Sequence, residues 1–372
     1  MKEIQEILQR IQQFAPGEKA ILATVVDVIG SGYRRPGARM LIDEDGFGIG
    51  TISGGCLEAD VLERAKKVWQ TDEPTVITYD TTKDENSLFG LGMGCRGIVR
   101  ILLEPVEKES DLAKVFQTAL ERREPQLAAT LISPTTEASI GTRFFYEQKQ
   151  GFGNQNLPET FKSLSELSDD CRTLFAAQES SAVRSYQTQR ETTEFFIEKI
   201  NPPVNLLLFG AGYDALPLVD FAKILGWRVT AIDHRPAFAN RERLPATDEI
   251  IAGSSEDLPN QLFEDENSVA VLMTHNYGRD REILRLLLHS ECRYIGALGP
   301  KKRTEKLLAE IGENFSDEQM EKLHAPVGLD IGADSPEAIA LSIVAEIQAI
   351  LHGRAGGFLR ERQGSIYNRN DD

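Results

Sequence analysis

A chain of 372 residues is long for a single hydrophobic core and is read as two domains. Its 41% hydrophobic and 27% charged residues match an ordinary globular protein rather than a disordered or fibrous one. The formal net charge of −17 sets up a field that repels nucleic acids and anionic membranes, so neither is expected as a partner.

The polar start Met1-Lys2-Glu3-Ile4 lacks the basic and apolar regions of a signal peptide, and no uncharged run approaches the roughly 20 residues of a membrane span. The four cysteines, Cys56, Cys95, Cys171 and Cys292, have no CxxC spacing. A reduced, cytoplasmic setting is expected. Ile4, Ile7, Leu8 and Ile11 share one face of a predicted helix over residues 2–14. Strands are predicted at 20–28, 39–42, 48–52, 75–79 and 98–103. Asp43-Glu44-Asp45-Gly46 is read as a hairpin turn, and a helix is expected from just after Gly55 through Trp69.

Three glycine-rich segments in this half carry candidate chemistry. Arg34 and Arg35 sit in the turn Gly30-Ser31-Gly32-Tyr33-Arg34-Arg35-Pro36-Gly37, where arginine suits a phosphate or a pterin-like ring, the competing reading being a solvated surface turn. In Thr51-Ile52-Ser53-Gly54-Gly55-Cys56-Leu57-Glu58 a strand ends, two glycines turn the chain and a helix starts. Backbone N–H groups there suit an anion, and the positive helix end favours a thiolate at Cys56. Glu58 is expected either to cap the helix or to face the site. The third segment, Gly90-Leu91-Gly92-Met93-Gly94-Cys95-Arg96-Gly97, brings backbone close to a ligand or makes a glycine-rich hairpin. For Cys56 the competing reading is a small inert residue on an ordinary turn.

A helix and two strands are expected to complete a first domain over residues 1–146. Residues 147–203 are read as a polar connector with room for a hairpin or short helix. Asn201-Pro202-Pro203 ends it, because proline does not sit inside a central strand.

From residue 204 strands alternate with helices, the pattern of a parallel sheet covered on both faces. Strands are predicted at 205–209, 228–232, 249–251, 268–272 and 294–297, and a long helix at 336–351. Leu206-Leu207-Leu208-Phe209 runs into Gly210-Ala211-Gly212. There Gly210 allows a tight turn and Gly212 allows close approach to a diphosphate. Asp233 follows at roughly the 20-residue distance of an acid that binds a ribose hydroxyl, and Arg235 beside it suits a 2′-phosphate. Asp233 alternatively caps a helix. Thr274 and His275 end a strand at the edge where such sheets bind ligands, with His275 read as an acid or base or as a partner of a backbone carbonyl. Gly296 and Gly299 end the next strand, and His324 lies in a loop returning to the sheet. No residues have the spacing of a zinc site.

Together these segments resemble the XdhC/CoxI family of accessory proteins that mature xanthine dehydrogenase and related molybdenum hydroxylases. The resemblance rests on Gly30–Ala38, Gly50–Glu58 and Gly94–Gly97 in the first half. In the second it rests on Phe209–Gly212 with Asp233 and Arg235, Thr274-His275-Asn276 with Asp280, Ile295–Pro300, and His324–Ala333 with the helix beyond. Arg96 departs from the small or uncharged residue expected there. The resemblance implies an α/β chain, with an N-terminal α+β XdhC/CoxI-like domain followed by a C-terminal Rossmann-like doubly wound parallel sheet. It implies binding of the molybdenum cofactor (a molybdopterin) and its sulfuration with a cysteine desulfurase. It further implies delivery to apo xanthine dehydrogenase or a related hydroxylase, and a homodimer.

Within that reading Arg34, Arg35, Gly54, Gly55, Cys56, Glu58, Gly94, Cys95 and Gly97 are the cofactor-contacting set of the first domain. Cys56 and Cys95 stand near molybdenum or its sulfur ligand, a role suited to soft thiolates. Gly210, Gly212, Asp233, Thr274, His275, Gly296 and Gly299 line the site of the second, for NAD(P), another nucleotide or part of the pterin cofactor. The rival function is an NAD(P)-dependent oxidoreductase, and a nucleotide-sensing regulator is a third.

Overall fold

In a computed structural model, residues 1–46, 48–80, 82, 97–135, 138–152, 165–177, 179–187 and 192–363 are described. The chain divides into two compact units, Met1–Pro202 and Pro203–Asp372.

The first unit contains two antiparallel sheets. One has the order β3-β2-β1-β5-β4, from β1 (Lys19–Gly30), β2 (Arg39–Ile42), β3 (Gly48–Gly50), β4 (Thr75–Asp80) and β5 (Gly97–Glu107). Strand β1 is buried on both faces because helices cover both. Ala20 and Leu22 pack with α1 (Lys2–Gln12) and α3 (Asp111–Arg122), while Ile21, Ala23 and Val25 pack with α2 (Glu58–Thr71). Helix α1 buries Ile4, Ile7, Leu8 and Ile11, the stripe that helical periodicity requires.

The second sheet has the order β7-β6-β9-β8, from β6 (Gln126–Leu131), β7 (Arg143–Tyr146), β8 (Ser181–Gln187) and β9 (Thr192–Ile200). The stretch expected as a connector therefore carries structure of its own. It holds α4 (Ser165–Ala176), which buries Leu167, Cys171 and Leu174, and the β8–β9 pair, all within the first unit. The room left there for a hairpin or short helix is taken by both; β8 buries only Tyr186, whereas β9 buries the run Phe195–Glu198. Arginine–carboxylate pairs join the two sheets. Arg39 of β2 binds Glu198 of β9 through both Nη atoms, Arg100 of β5 lies 2.7 Å from Glu194, and Arg143 of β7 binds Glu104 of β5. Arg39 and Glu198 are only 2% and 10% exposed at their side chains, so each ion depends on its partner for charge compensation.

The second unit is a parallel six-stranded sheet of order β12-β11-β10-β13-β14-β15. Its strands are β10 (Asn205–Phe209), β11 (Arg228–Asp233), β12 (Glu249–Ala252), β13 (Ser268–Leu272), β14 (Tyr294–Ala297) and β15 (Leu323–His324). Strand β15, which holds His324, is too short for its periodicity to be read. Leu206 and Leu208 pack beneath α5 (Ala215–Ile224) and α8 (Pro336–Leu351). Leu207 and Phe209 pack beneath α6 (Tyr277–Leu288) and α7 (Lys301–Ile311). Helices on both faces make the sheet doubly wound. The strand order reverses between β10 and β13, which opens a crevice at their carboxyl ends.

Candidate functional site

In the first unit, the end of β1 and the turn before α2 come together. The Tyr33 ring lies on Gly54, where an added Cβ would sit 2.6 Å from the ring carbon Cε1. Gly97 pairs with Gly30, and a Cβ there would lie 2.6 Å from the carbonyl oxygens of Ile29 and Ser31. These glycines serve close approach between chain segments. Gly94 and Cys95 fall outside the described residues.

Cys56 is exposed. It stands before Leu57, the N-cap of α2, and so just outside the helix rather than in its first turn. Gly54 and Gly55 hold left-handed φ values of 77° and 114°, which present the thiol on a protruding turn. The expected anion at this turn is supplied by the chain itself. The Glu58 carboxylate accepts hydrogen bonds from the backbone N–H groups of Ser53 (2.9 Å), Gly55 (2.9 Å) and Leu57 (3.2 Å). The Thr51 hydroxyl (2.7 Å) and the Ser53 hydroxyl also donate to it. Burial alone would raise the Glu58 pKa, but these donors hold it down at about 2. Gly55 and Leu57 flank Cys56, so Glu58 fixes the residues on both sides of the thiol. Arg34 is engaged by Glu3 of α1, which also accepts the Arg39 backbone N–H, while Arg35 is exposed. Glu3 carries no motif that would have singled it out, and Tyr33 lies in the glycine-rich turn without a chemical signal of its own.

In the second unit the glycine turn lies at the carboxyl edge of the sheet. Gly210 has φ 111°, and a Cβ there would approach the Met273 carbonyl oxygen to 2.4 Å. The close packing of β10 against β13 thus demands this glycine independently of any ligand. A Cβ on Gly212 would lie 2.8 Å from Asp214 Oδ1, and Asp214 Oδ2 is 2.7 Å from His275 Nε2. His275 is a non-glycine residue at φ 56° with an exposed side chain, a costly conformation that clusters at functional sites. Asp214 follows the glycine turn without a signal of its own, and its pairing with His275 depends on β10 and β13 lying side by side.

Asp233 is almost fully buried. Its Oδ1 accepts from the Arg235 backbone N–H (2.9 Å) and Nε (3.0 Å), and its Oδ2 from the Ala211 N–H (2.9 Å) and Arg235 Nη2 (2.8 Å). Burial would raise its pKa, but the Arg235 and backbone donors hold it at about 2. Asp233 also lines a small cleft open to solvent, together with His234, Ser254, Thr274, Arg279 and Ile283 among others. Burial and the nearby Arg279 guanidinium push the His234 imidazole below its ordinary pKa. The Thr274 hydroxyl donates to buried Asp280, whose other oxygen binds Arg303 at 2.6 Å. Gly299, at φ 129°, sits on the same edge. Gly296 is buried within β14, where a Cβ would meet Val327 at 2.5 Å, so packing explains it. His324 stacks on Tyr294 with ring centroids 4.5 Å apart and lies 3.7 Å from Glu346.

Among the described residues no three His, Cys, Asp or Glu side chains converge as a metal-holding group, and no helix is long and apolar enough to cross a membrane.

The chain matches the XdhC and CoxI family over residues 14–80 and the XdhC Rossmann domain over residues 206–347. It is 33% identical over 332 residues to a probable xanthine dehydrogenase subunit of Bacillus subtilis (strain 168), covering 89% of this chain and 92% of that one. It is 22% identical over 344 residues to the molybdenum cofactor insertion chaperone PaoD of Escherichia coli (strain K12), covering 91% of this chain and 86% of that one. A crystal structure described as a xanthine dehydrogenase from Bacillus halodurans superposes with a TM-score of 0.75 at 32% identity, over 95% of this chain and 97% of that one. Full-length similarity of this order, with both halves matched in sequence and in fold, makes the chain a member of the XdhC and CoxI family.

Proposed function

We propose that this protein is an accessory factor that binds the molybdenum cofactor, supports its sulfuration with a cysteine desulfurase, and hands it to apo xanthine dehydrogenase or a related molybdenum hydroxylase. The names of its Bacillus subtilis and Escherichia coli relatives support an accessory role. The observation that carries the reading is the exposed Cys56 on a turn of two left-handed glycines, pinned on both sides by Glu58. A thiol held in this way is accessible to a soft metal or its sulfur ligand and is free of the burial that makes a cysteine inert.

The cofactor is cargo here, and its molybdenum and dithiolene supply the redox chemistry of the enzyme that receives it. This chain's own residues bind, shield and release. Cys56 contributes the thiol. Exposed Tyr33 provides an apolar wall beside Gly54. Arg35 provides positive charge on the adjoining turn, where the bulk of the protein is acidic. The Rossmann-like unit binds a nucleotide or the nucleotide-like end of the cofactor. The reading carries with it a cytoplasmic homodimer.

The test is co-expression with molybdenum-cofactor biosynthesis, purification, and assay of pterin fluorescence and metal after denaturation. The wild-type protein should retain both. Cys56→Ala should lose molybdenum while its circular dichroism stays unchanged. Repeated preparations without pterin, together with NAD(P)H turnover, would instead establish the oxidoreductase alternative.

A further inference from the structure

The ribose edge of the second unit is built unlike a site for a free diol. Where the fold ordinarily offers an acid to two ribose hydroxyls, both oxygens of Asp233 are committed, two bonds each, to Arg235 and the Ala211 N–H. A carboxylate has about four lone-pair sites, so little acceptor capacity remains.

What that edge does present is guanidinium. Arg235 lies over the Phe238 ring at 3.9 Å, and Arg243 lies 4.8 Å from the Phe238 ring and 4.8 Å from the Tyr213 ring. Arg235, Phe238, Arg243 and Tyr213 thus form a continuous ladder from the end of β11 to the glycine turn. Arg243 Nε and Nη2 are buried without a hydrogen-bond partner. Native proteins seldom leave buried donors in that state, and two such donors on one planar guanidinium match the oxygens of a phosphate. Arg235 engages Asp233 through Nε and one Nη, and its stacking on Phe238 holds the plane in place.

Resting on the reading of this unit as a nucleotide site, we propose that it selects nucleotides bearing a phosphate on the adenosine ribose, with Arg235 and Arg243 as the residues that recognise that phosphate. Asp233 then acts as the neutralising clamp that orients Arg235 and does not act as a ribose ligand.

Calorimetry on the full chain tests this with adenosine 2′,5′-bisphosphate and 5′-AMP. The bisphosphate should bind about tenfold more tightly or better, the gain expected of charge-assisted phosphate contacts. Arg243→Ala should bring the two affinities to within about twofold of each other, with the loss falling mainly on the bisphosphate. Arg243→Lys should restore part of the preference, separating lost charge from lost structure. Equal affinities in the wild type, tighter binding of 5′-AMP, or a preference that survives loss of both arginines would overturn the assignment. Binding of neither compound would defeat the nucleotide reading of the unit and this inference with it, and would leave the Cys56 proposal standing on its own test.

Discussion

The two glycine turns look alike in the sequence, each a strand, a pair of glycines and a helix, and they differ in what makes the glycines necessary. Gly210 and Gly55 have nearly the same φ, 111° and 114°. Around Gly210 the neighbouring strand closes in, and a Cβ would sit 2.4 Å from the Met273 carbonyl; a Cβ on Gly55 would meet nothing within 4 Å beyond its chain neighbours. The first is a packing constraint between β10 and β13. The second is an open turn whose amide groups face a carboxylate, that of Glu58. A glycine pair before a helix therefore identifies a tight turn but does not reveal whether the space it leaves belongs to a ligand, to a neighbouring strand or to the chain's own acid.

Substitutions at matched positions should separate the two turns. Gly210→Ala is expected to have the largest effect, about 3 kcal/mol or more, because strained φ and a backbone collision add. Urea unfolding followed through Trp227 of the second unit, with Trp69 replaced by Phe, reads it out. A loss below about 1 kcal/mol would show that β13 yields easily and that the contact does not dictate the glycine. Glu58→Ala comes next, at about 2 kcal/mol in the first unit followed through Trp69, since the Ser53 and Gly55 N–H groups and the Thr51 and Ser53 hydroxyls lose the carboxylate they donate to. An unchanged midpoint would mean that water replaces the carboxylate without cost.

The same carboxylate predicts an acid response. Its folded pKa of about 2 lies below the ordinary 4.5, so its stabilising contribution is complete above pH about 4.5 and is lost as pH falls towards about 2. Glu58→Gln should flatten that part of the first unit's stability profile; a parallel profile in the variant would assign the acid sensitivity elsewhere. Asp233, lowered from 3.8 to about 2, gives the second unit a loss of the same sign over pH about 4 to 2.

Gly55→Ala should cost about 1 kcal/mol, the strain of a left-handed alanine in open space. A cost equal to that of Gly210→Ala would erase the distinction between the turns. Cys56→Ala should change stability by no more than about 0.5 kcal/mol, as for other exposed positions, so that any loss of molybdenum in that variant reports function. A large drop in its unfolding midpoint would make Cys56 a structural residue.

Much of the architecture was legible before any coordinates. Leu206–Phe209, Val229–Ile232 and Val269–Leu272 are short apolar runs between helical patterns, and they form central strands of the parallel sheet. Pro202-Pro203 marks the division between the units. The helix over residues 336–351 starts at Ser335 and Pro336, an N-cap and first-turn signal. Less was legible in residues 147–203, where a helix and a hairpin with one mostly unburied strand share the composition of a linker. At the sites, residue types were readable and partners were not. Arg34 was seen as a basic residue on a turn, but its engagement by Glu3 follows from α1 packing across β2 and β3.

Periodicity, glycine placement and capping residues act within a few positions of each other, so the amino-acid sequence alone determined the order of the elements, the doubly wound second unit and the location of its glycine turn. Tertiary structure decided which charge meets which. Arg39 finds Glu198 from the far end of the first unit, His275 finds Asp214 across two parallel strands, and Asp233 turns inward to Arg235 and the Ala211 amide. Such pairings are set by the desolvation of buried ions and by the distances that packing allows, and no local pattern encodes them.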